Sequence, residues 1–308
     1  MVNYEYITFD FPDDYDGRVI ATLIKAQCPQ PSSRAVLYIH GYIDYFFQDH
    51  LAEAFLDHGY NFYAVDLRKY GRSLLEGQHP NFAINIDEYY PDLDKSLDRI
   101  SADGNSDITL LGHSTGGLLA SLYAAEGAKR NKIGRMVLNS PFFSFNASKY
   151  KLNLELPMAS FISLFLPFMH SKSELSDVYT LSIHKGHKGD WDFDTRLKPV
   201  EGIPLYWSWL RAIRRAQAKL KGGLNLDIPV LVMSSGRSYF GKNWSDEAMS
   251  ADAVLNVKDI EKYSVAIGPD VVTYVPIEGG IHDLFLSQKD VREKAMQVMF
   301  GWLEENSR

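Results

Sequence analysis

The stretch "LLGHSTGGL", Leu110–Leu118, constrains the fold of this chain more than any other. An apolar strand runs into Gly-His-Ser-Thr-Gly, and a helical segment starts at once. A strand-to-helix turn this sharp forces its central residue, Ser114, into strained backbone angles. It also crowds the positions two residues away on either side, where a side chain would meet the neighbouring strand or helix. Gly112 and Gly116 stand at those positions. Such a turn lifts the Ser114 hydroxyl clear of the sheet, and the amides and dipole of the following helix favour negative charge beside it. A bare G-x-S-x-G arises by chance in many proteins. The strand before it and the helix after it favour a turn that presents the serine over a glycine-rich bend that merely contains one.

The flanking sequence repeats the same alternation. Residues 4–11 and "GRVIATLIKAQ" read as an antiparallel pair of strands. "RAVLYIHGY", "YNFYAVDLR", residues 107–111 and "GRMVLNSP" are apolar runs expected of strands covered on both faces, with helical patterns at 48–58, 86–100 and 115–128 between or after them. This predicts an α/β protein with a mostly parallel sheet flanked by helices. The alternation stops after Pro141. Residues from about 143 to 224 hold no convincing buried strand and read as loops and helices. "IPVLVMSS", "VVTYVPIEGG" and a helix at 289–304 then resume the pattern. The expected organisation is a core of residues 1–142 and 225–308, interrupted by a helical cap at 143–224.

The chain of 308 residues is long enough for one large α/β domain. Its net charge of −7 argues against a nucleic-acid binder. A single cysteine, Cys28, allows no intrachain disulfide. The N-terminus lacks the basic start and apolar run of a signal peptide. The most apolar segment, Leu156–Met169, is bounded by Pro157 and Pro167 and is shorter than the roughly 20 residues a membrane span needs. A cytoplasmic protein without stable membrane insertion is expected.

Four stretches, in order, resemble the α/β-hydrolase family: "HGY" (40–42), "DLRKYGRS" (66–73), "GHSTGG" (112–117) and "GGIHD" (279–283). The chain is most similar to its monoglyceride lipase, lysophospholipase and esterase-like branch, and the resemblance covers nearly the whole length. It implies a serine nucleophile, Ser114, followed in chain order by an acid and a histidine base. Of nine histidines, only His282 lies beyond the last predicted strand, in a Gly-rich loop before the final helix, where this fold places its base. In relatives the acid follows the preceding strand by a few residues, but here Gly236 stands about there. "DAVLN" resembles the family's acid-bearing segment, displaced by an insertion of some fifteen residues, and points to Asp252; Asp246 is the alternative. A helix-capping aspartate is the other role open to Asp252. By resemblance the backbone amides of Tyr42 and Thr115 form an oxyanion hole, and the 66–73 run braces the surrounding loops.

Aromatic residues make up 13% of the chain, and a surplus of rings often lines an apolar pocket. Met158, Phe161, Ile162 and Phe165 share one helical face. Phe142, Phe143, Phe161, Phe165 and Trp207 are therefore candidates for an acyl pocket. The reading is a serine esterase or lipase-like hydrolase of a small-molecule ester with an apolar acyl group. It needs no metal or organic cofactor, and a homodimer stays open. A peptidase or amidase using the same residues would need an acidic group in the cap to hold a substrate ammonium, with Glu174, Asp177 and Asp190 as candidates. A non-catalytic ligand-binding protein on the same scaffold rests only on the missing acid at Gly236.

Overall fold

The computed structural model describes residues 2–172, 177–241 and 243–307. The chain opens with the hairpin β1 (Glu5–Asp14) and β2 (Gly17–Ala26), followed by β3 (Arg34–Ile39), α1 (Asp49–Asp57) and β4 (Asn61–Asp66). Next come α2 (Tyr90–Ala102), β5 (Asp107–His113), α3 (Thr115–Glu126) and β6 (Ile133–Asn139). A long inserted segment carries α4 (Leu156–Ile162), β7 (His170–Ser171), α5 (Asp177–Ile183), β8 (Leu205–Tyr206) and α6 (Trp207–Lys221). The chain closes with β9 (Val230–Ser235), α7 (Val257–Ser264), β10 (Val272–Ile277) and α8 (Lys289–Glu305).

Eight strands form one sheet in the order β1-β2-β4-β3-β5-β6-β9-β10. Every pairing is parallel except those of β2 with its two neighbours. The register matters for the site. Ile39 pairs with Gly112 and His113 with Asn139, so the carboxyl ends of β3, β5 and β6 lie side by side. The loops that leave those ends must meet, and in an open parallel sheet this is where ligands bind.

The buried strand runs place apolar side chains on both sheet faces. One cluster packs under α2, α3 and α6, the other under α1 and α8. Helix α3 is buried from Thr115 to Ala124, because α6 covers the side that the sheet does not. Trp209, Leu210, Ile213 and Leu220 of α6 join the same core as Leu118, Leu119 and Leu122. A third cluster ties Tyr179, Ile183 and Phe193 of the inserted segment to Tyr45, Ile281 and Leu286. Trp191 adds a bond from Nε1 to the Leu286 carbonyl at 2.7 Å, and the Asp194 amide donates to Tyr45 Oη at 2.8 Å.

Helix α4 corrects one expectation. Phe161 and Phe165 are 63% and 71% exposed, and Met158 also faces outward. The helix ends at Ile162, so Phe165 lies in the turn after it; the two rings still meet, with centroids 5.5 Å apart, but they look into solvent. The opposite side is held on α6, where Arg214 Nη1 donates to Ser160 Oγ at 2.9 Å. Among the described residues no helix is long and apolar enough to cross a membrane.

The 66–73 run braces the loop after β3. Fully buried Asp66 accepts the Phe46 amide (3.0 Å), the Arg72 amide (3.1 Å) and Arg72 Nη1 (2.7 Å). Arg72 in turn reaches the Phe46 carbonyl at 3.1 Å. Removing Asp66 leaves the Phe46 and Arg72 amides without their acceptor, and an unsatisfied buried donor typically costs about 1–3 kcal/mol. Asp66→Ala is expected to lose stability of that order in denaturant unfolding; a loss under about 1 kcal/mol would show that this brace is dispensable.

Candidate active site

Ser114 joins β5 to α3 with φ 53° and ψ −117°, a region that side-chain-bearing residues rarely adopt. The strain persists because its surroundings leave no alternative. A Cβ on Gly116 would lie 2.2 Å from the Ile39 carbonyl oxygen and 2.4 Å from that of His40. A Cβ on Gly112 would lie 2.6 Å from the Gly116 oxygen. The glycines two residues either side of the serine are thus sterically required. The Ser114 carbonyl accepts the amides of Gly117 (3.0 Å) and Phe142 (2.9 Å), which leaves its hydroxyl facing outward from the turn.

His282 follows β10 in a Gly-rich loop and places Nε2 3.0 Å from Ser114 Oγ and Nδ1 2.9 Å from Asp252 Oδ2. A carboxylate can only accept, so the proton sits on Nδ1 and Nε2 is left to accept from the serine hydroxyl. All three residues are buried. The Asp252 side chain is shared between two tasks. Its Oδ1 accepts the amides of Val254 and Leu255, each at 2.8 Å, and its Oδ2 holds the histidine. Asp252 thus closes a turn at Val254–Leu255 while it holds the histidine; the cap of α7 is Asn256, whose side chain accepts the Lys258 amide.

Asp252 reaches this place by a detour. The chain leaves β9 at Ser235, makes an excursion, and returns so that the Asp252 amide donates to the Arg237 carbonyl (2.9 Å) and the Tyr239 amide to the Asp252 carbonyl (2.7 Å). Asp246 lies exposed on that excursion, away from His282. A Cβ at Gly236 would meet the carboxylate of exposed Glu278 at 2.4 Å, so an acid there would face a like charge.

A second set of polar groups fixes the His282 loop. Asp283 Oδ1 accepts from Asn139 Nδ2 (2.7 Å) and the Phe285 amide (3.0 Å), and its Oδ2 accepts from Gln48 Nε2 (3.2 Å). The Leu284 amide donates to Asn139 Oδ1 at 3.2 Å. Sequence reasoning did not single out Asn139, Gln48 or Asp283; only the aspartate of "GGIHD" offered a signal. His40 is structural, receiving the Leu67 amide on Nε2 at 3.1 Å. His113 contacts the Asn139 carbonyl through Nδ1 at 3.1 Å, and burial pushes its pKa down, so it stays neutral 4.9 Å from the His282 ring.

Among the described residues the Tyr42 and Thr115 amides are taken by no backbone acceptor outside regular helices and strands, and both residues flank Ser114. The Tyr42 ring stacks on Trp209 with centroids 4.0 Å apart, joining this loop to α6. The cleft over Ser114 has a volume of about 50 Å³ and is lined by Asp44, Tyr179, Lys198 and Glu201 together with Tyr42 and His282. None of Phe142, Phe143, Phe161, Phe165 and Trp207 lines it. Phe143 is consumed by the core, Phe142 and Trp207 pack against it, and the other two face solvent. In place of the expected aromatic acyl pocket stands a mixed cleft, in which Ile43, Pro199, Val200 and Val254 alternate with Asp44, Lys198 and Glu201. Of the acidic residues considered for an ammonium, Glu174 lies outside the described residues and Asp190 does not line the cleft.

Residues 30–288 match the family described as serine aminopeptidase, S33. No match to a curated protein is found. Among solved structures, a soluble variant of monoglyceride lipase from Saccharomyces cerevisiae, in complex with a substrate analog, is similar with a TM-score of 0.72 at 18% identity, over 100% of this chain and 96% of that one. The monoacylglycerol lipase of Paleococcus ferrophilus gives 0.67 at 17%, over 92% and 99%. A thermostable carboxyl esterase from Bacillus coagulans, in complex with glycerol, gives 0.68 at 13%, over 97% and 98%. The architecture is that of the α/β-hydrolase fold.

The elbow sterics can be tested without any substrate. Gly116→Ala forces backbone to move and is expected to destabilise the protein by about 1–3 kcal/mol or prevent folding. Gly301→Ala, on exposed α8 with nothing within 4 Å of the new Cβ, is expected to be neutral or stabilising by up to about 1 kcal/mol. Equal thermal unfolding of the two variants would refute the crowding.

Proposed function

Because the chain belongs to the serine aminopeptidase S33 family, we propose that it is a serine hydrolase that cleaves small carboxylic esters through Ser114, His282 and Asp252. The single observation that carries this reading is the unbroken chain of contacts from Asp252 through His282 to Ser114. Ser114 Oγ attacks the ester carbonyl while His282 Nε2 takes its proton. The negative oxygen that develops is stabilised by the amides of Thr115 and Tyr42, a contribution typically worth about 2.7–4 kcal/mol per donor. His282 then gives the proton to the departing alcohol, and Ser114 keeps the acyl group. Water, activated by His282, attacks the acyl-enzyme; the acid leaves and the proton returns to Ser114. Asp252 holds the Nδ1 tautomer throughout and stabilises the imidazolium that forms twice per cycle. No metal or organic cofactor enters this scheme. The inserted segment, assigned as a cap over residues 143–224, closes the cleft from above with Tyr179, Lys198 and Glu201. Lipases and esterases among the structures of similar fold support the ester reading.

A second reading is favoured by one observation. Glu201, from the inserted segment, lines the cleft and is exposed enough to meet a substrate ammonium, as an aminopeptidase would require.

Ser114→Ala is expected to lower kcat on short p-nitrophenyl esters by a factor on the order of 10⁶, and Asp252→Asn by about 10⁴. Asp246→Asn should retain full turnover. Activity that survives Asp252→Asn but collapses in Asp246→Asn would overturn the assignment of the acid. Turnover of aminoacyl anilides with no turnover of any ester would replace the ester reading by the peptidase one.

A further inference from the structure

The cleft contains a buried ion pair that the scheme above does not use. Lys198, from the inserted segment, places Nζ 2.6 Å from Oδ1 of Asp44, two residues beyond Tyr42. The two side chains are 7% and 3% exposed. The rings of Phe47 and Phe193 flank the ammonium at 5.3 and 5.7 Å. Burial pushes the Asp44 carboxyl up, but the attraction of Lys198 outweighs it and holds the group below its ordinary value. Beside this pair stands Tyr179, whose ring meets that of His282 edge-on at 5.4 Å. Its hydroxyl is buried without a hydrogen-bond partner among the described residues. The Asp283 amide approaches it only on the acceptor side, without normal hydrogen-bond geometry, so the phenol O–H is unused. Burial keeps that phenol well above its ordinary pKa, and therefore a donor.

These groups have unused capacity of both kinds. Asp44 Oδ2 accepts nothing among the described residues, while Lys198 uses one of its three N–H groups in a hydrogen bond and Tyr179 none of its single O–H. An alkyl chain here would strip what water reaches Asp44 and Lys198, leave the Tyr179 hydroxyl unpartnered, and return no hydrogen bond, which is costly. A carboxylate can only accept and would face Asp44; an ammonium can only donate and would face Lys198. A hydroxyl both donates and accepts, and carries no charge. A cleft of about 50 Å³ has room for a fragment of a few heavy atoms.

The geometry points to Asp44, Lys198 and Tyr179 as a specificity subsite for a hydroxyl group on a short ester substrate, within a few bonds of the scissile carbonyl. This rests on the ester reading of the same site. The hydroxyl can belong to the acyl group or to the alcohol, and two isosteric pairs separate these. On the acyl side, p-nitrophenyl 3-hydroxybutyrate is compared with p-nitrophenyl isovalerate; on the alcohol side, 2-hydroxyethyl butyrate with propyl butyrate. In each pair a methyl replaces the hydroxyl.

The measured quantity is the hydroxyl-to-methyl ratio of kcat/KM in the wild type divided by that in the double variant Lys198→Met with Asp44→Asn, so that intrinsic reactivity cancels. The double change removes both charges and leaves neither buried alone. Tyr179→Phe, which deletes only an unpartnered hydroxyl, is the second variant in case the double does not fold. The expected result is at least a tenfold fall in the ratio for the double, and a smaller fall for Tyr179→Phe, in one arm; that arm identifies which side carries the hydroxyl. Ratios unchanged within twofold in both arms overturn the subsite. The same pairs are titrated by tryptophan fluorescence against Ser114→Ala, with and without the subsite changes. If the wild type turns over no ester, the ester reading fails, and binding preference in Ser114→Ala still decides the subsite: tenfold preference for the hydroxyl member upholds it, and equal binding rejects it.

Discussion

The site depends on one close approach, that of the turn at Ser114 to the end of β3. The backbone of Gly116 lies against the carbonyls of Ile39 and His40 so closely that a methyl group has no room. That approach sets the strained angles of Ser114 and fixes the start of α3. It also puts the loop after β3 beside the serine: a Cβ on Gly41 would be only 3.2 Å from those of Ser114 and the His113 ring. Strain of this kind costs on the order of 1–3 kcal/mol per residue and must be over-determined elsewhere. Here the burial of α3 on every side, by the sheet and by α6, holds it.

Around that point the fold gathers loops from five strand ends. Asp283 and Asn139 lock the His282 loop to the end of β6, and Gln48 ties it to the loop after β3. Asp66 and Arg72 hold the same β3 loop from below. The inserted segment is bound to this frame by Trp191, Asp194 and Lys198, through polar contacts as well as the small cluster at Tyr179. The wall it presents to the serine mixes Lys198 and Glu201 with Pro199 and Val200, while Phe161 of α4 and Phe165 just after it stay in solvent.

Much of the architecture was legible because it rests on local signals. Continuous apolar runs marked the strands, and G-x-S-x-G marked the turn. Ser114 and His282 could be named from motif and chain order, and the structure brings them within 3.0 Å. Asp252 needed the resemblance, because the excursion after β9 hides the acid from any count along the chain. The pocket was misread for a different reason. Periodicity states which side chains share a helix face, and composition states that rings are abundant; neither states what the face meets. The helix stops at Ile162, Phe161 and Phe165 lie exposed at its end, and Phe143 was taken up by the core.

What the sequence determined by itself was local and steric: the glycines around Ser114, the alternation of strand and helix, and the loop that carries His282. These are written in short motifs and chain order, even though the contact that makes Gly116 necessary, with the Ile39 and His40 carbonyls, is formed only by the fold. Tertiary structure alone decided which aspartate meets His282, that Asn139 and Asp283 clamp the loop, and that Lys198 meets Asp44 across 154 residues of chain. Pairings of that kind depend on how an inserted segment closes over a sheet edge. Charged and polar side chains carry no periodic signature of their partners, so only the closed fold reveals which of them are buried together.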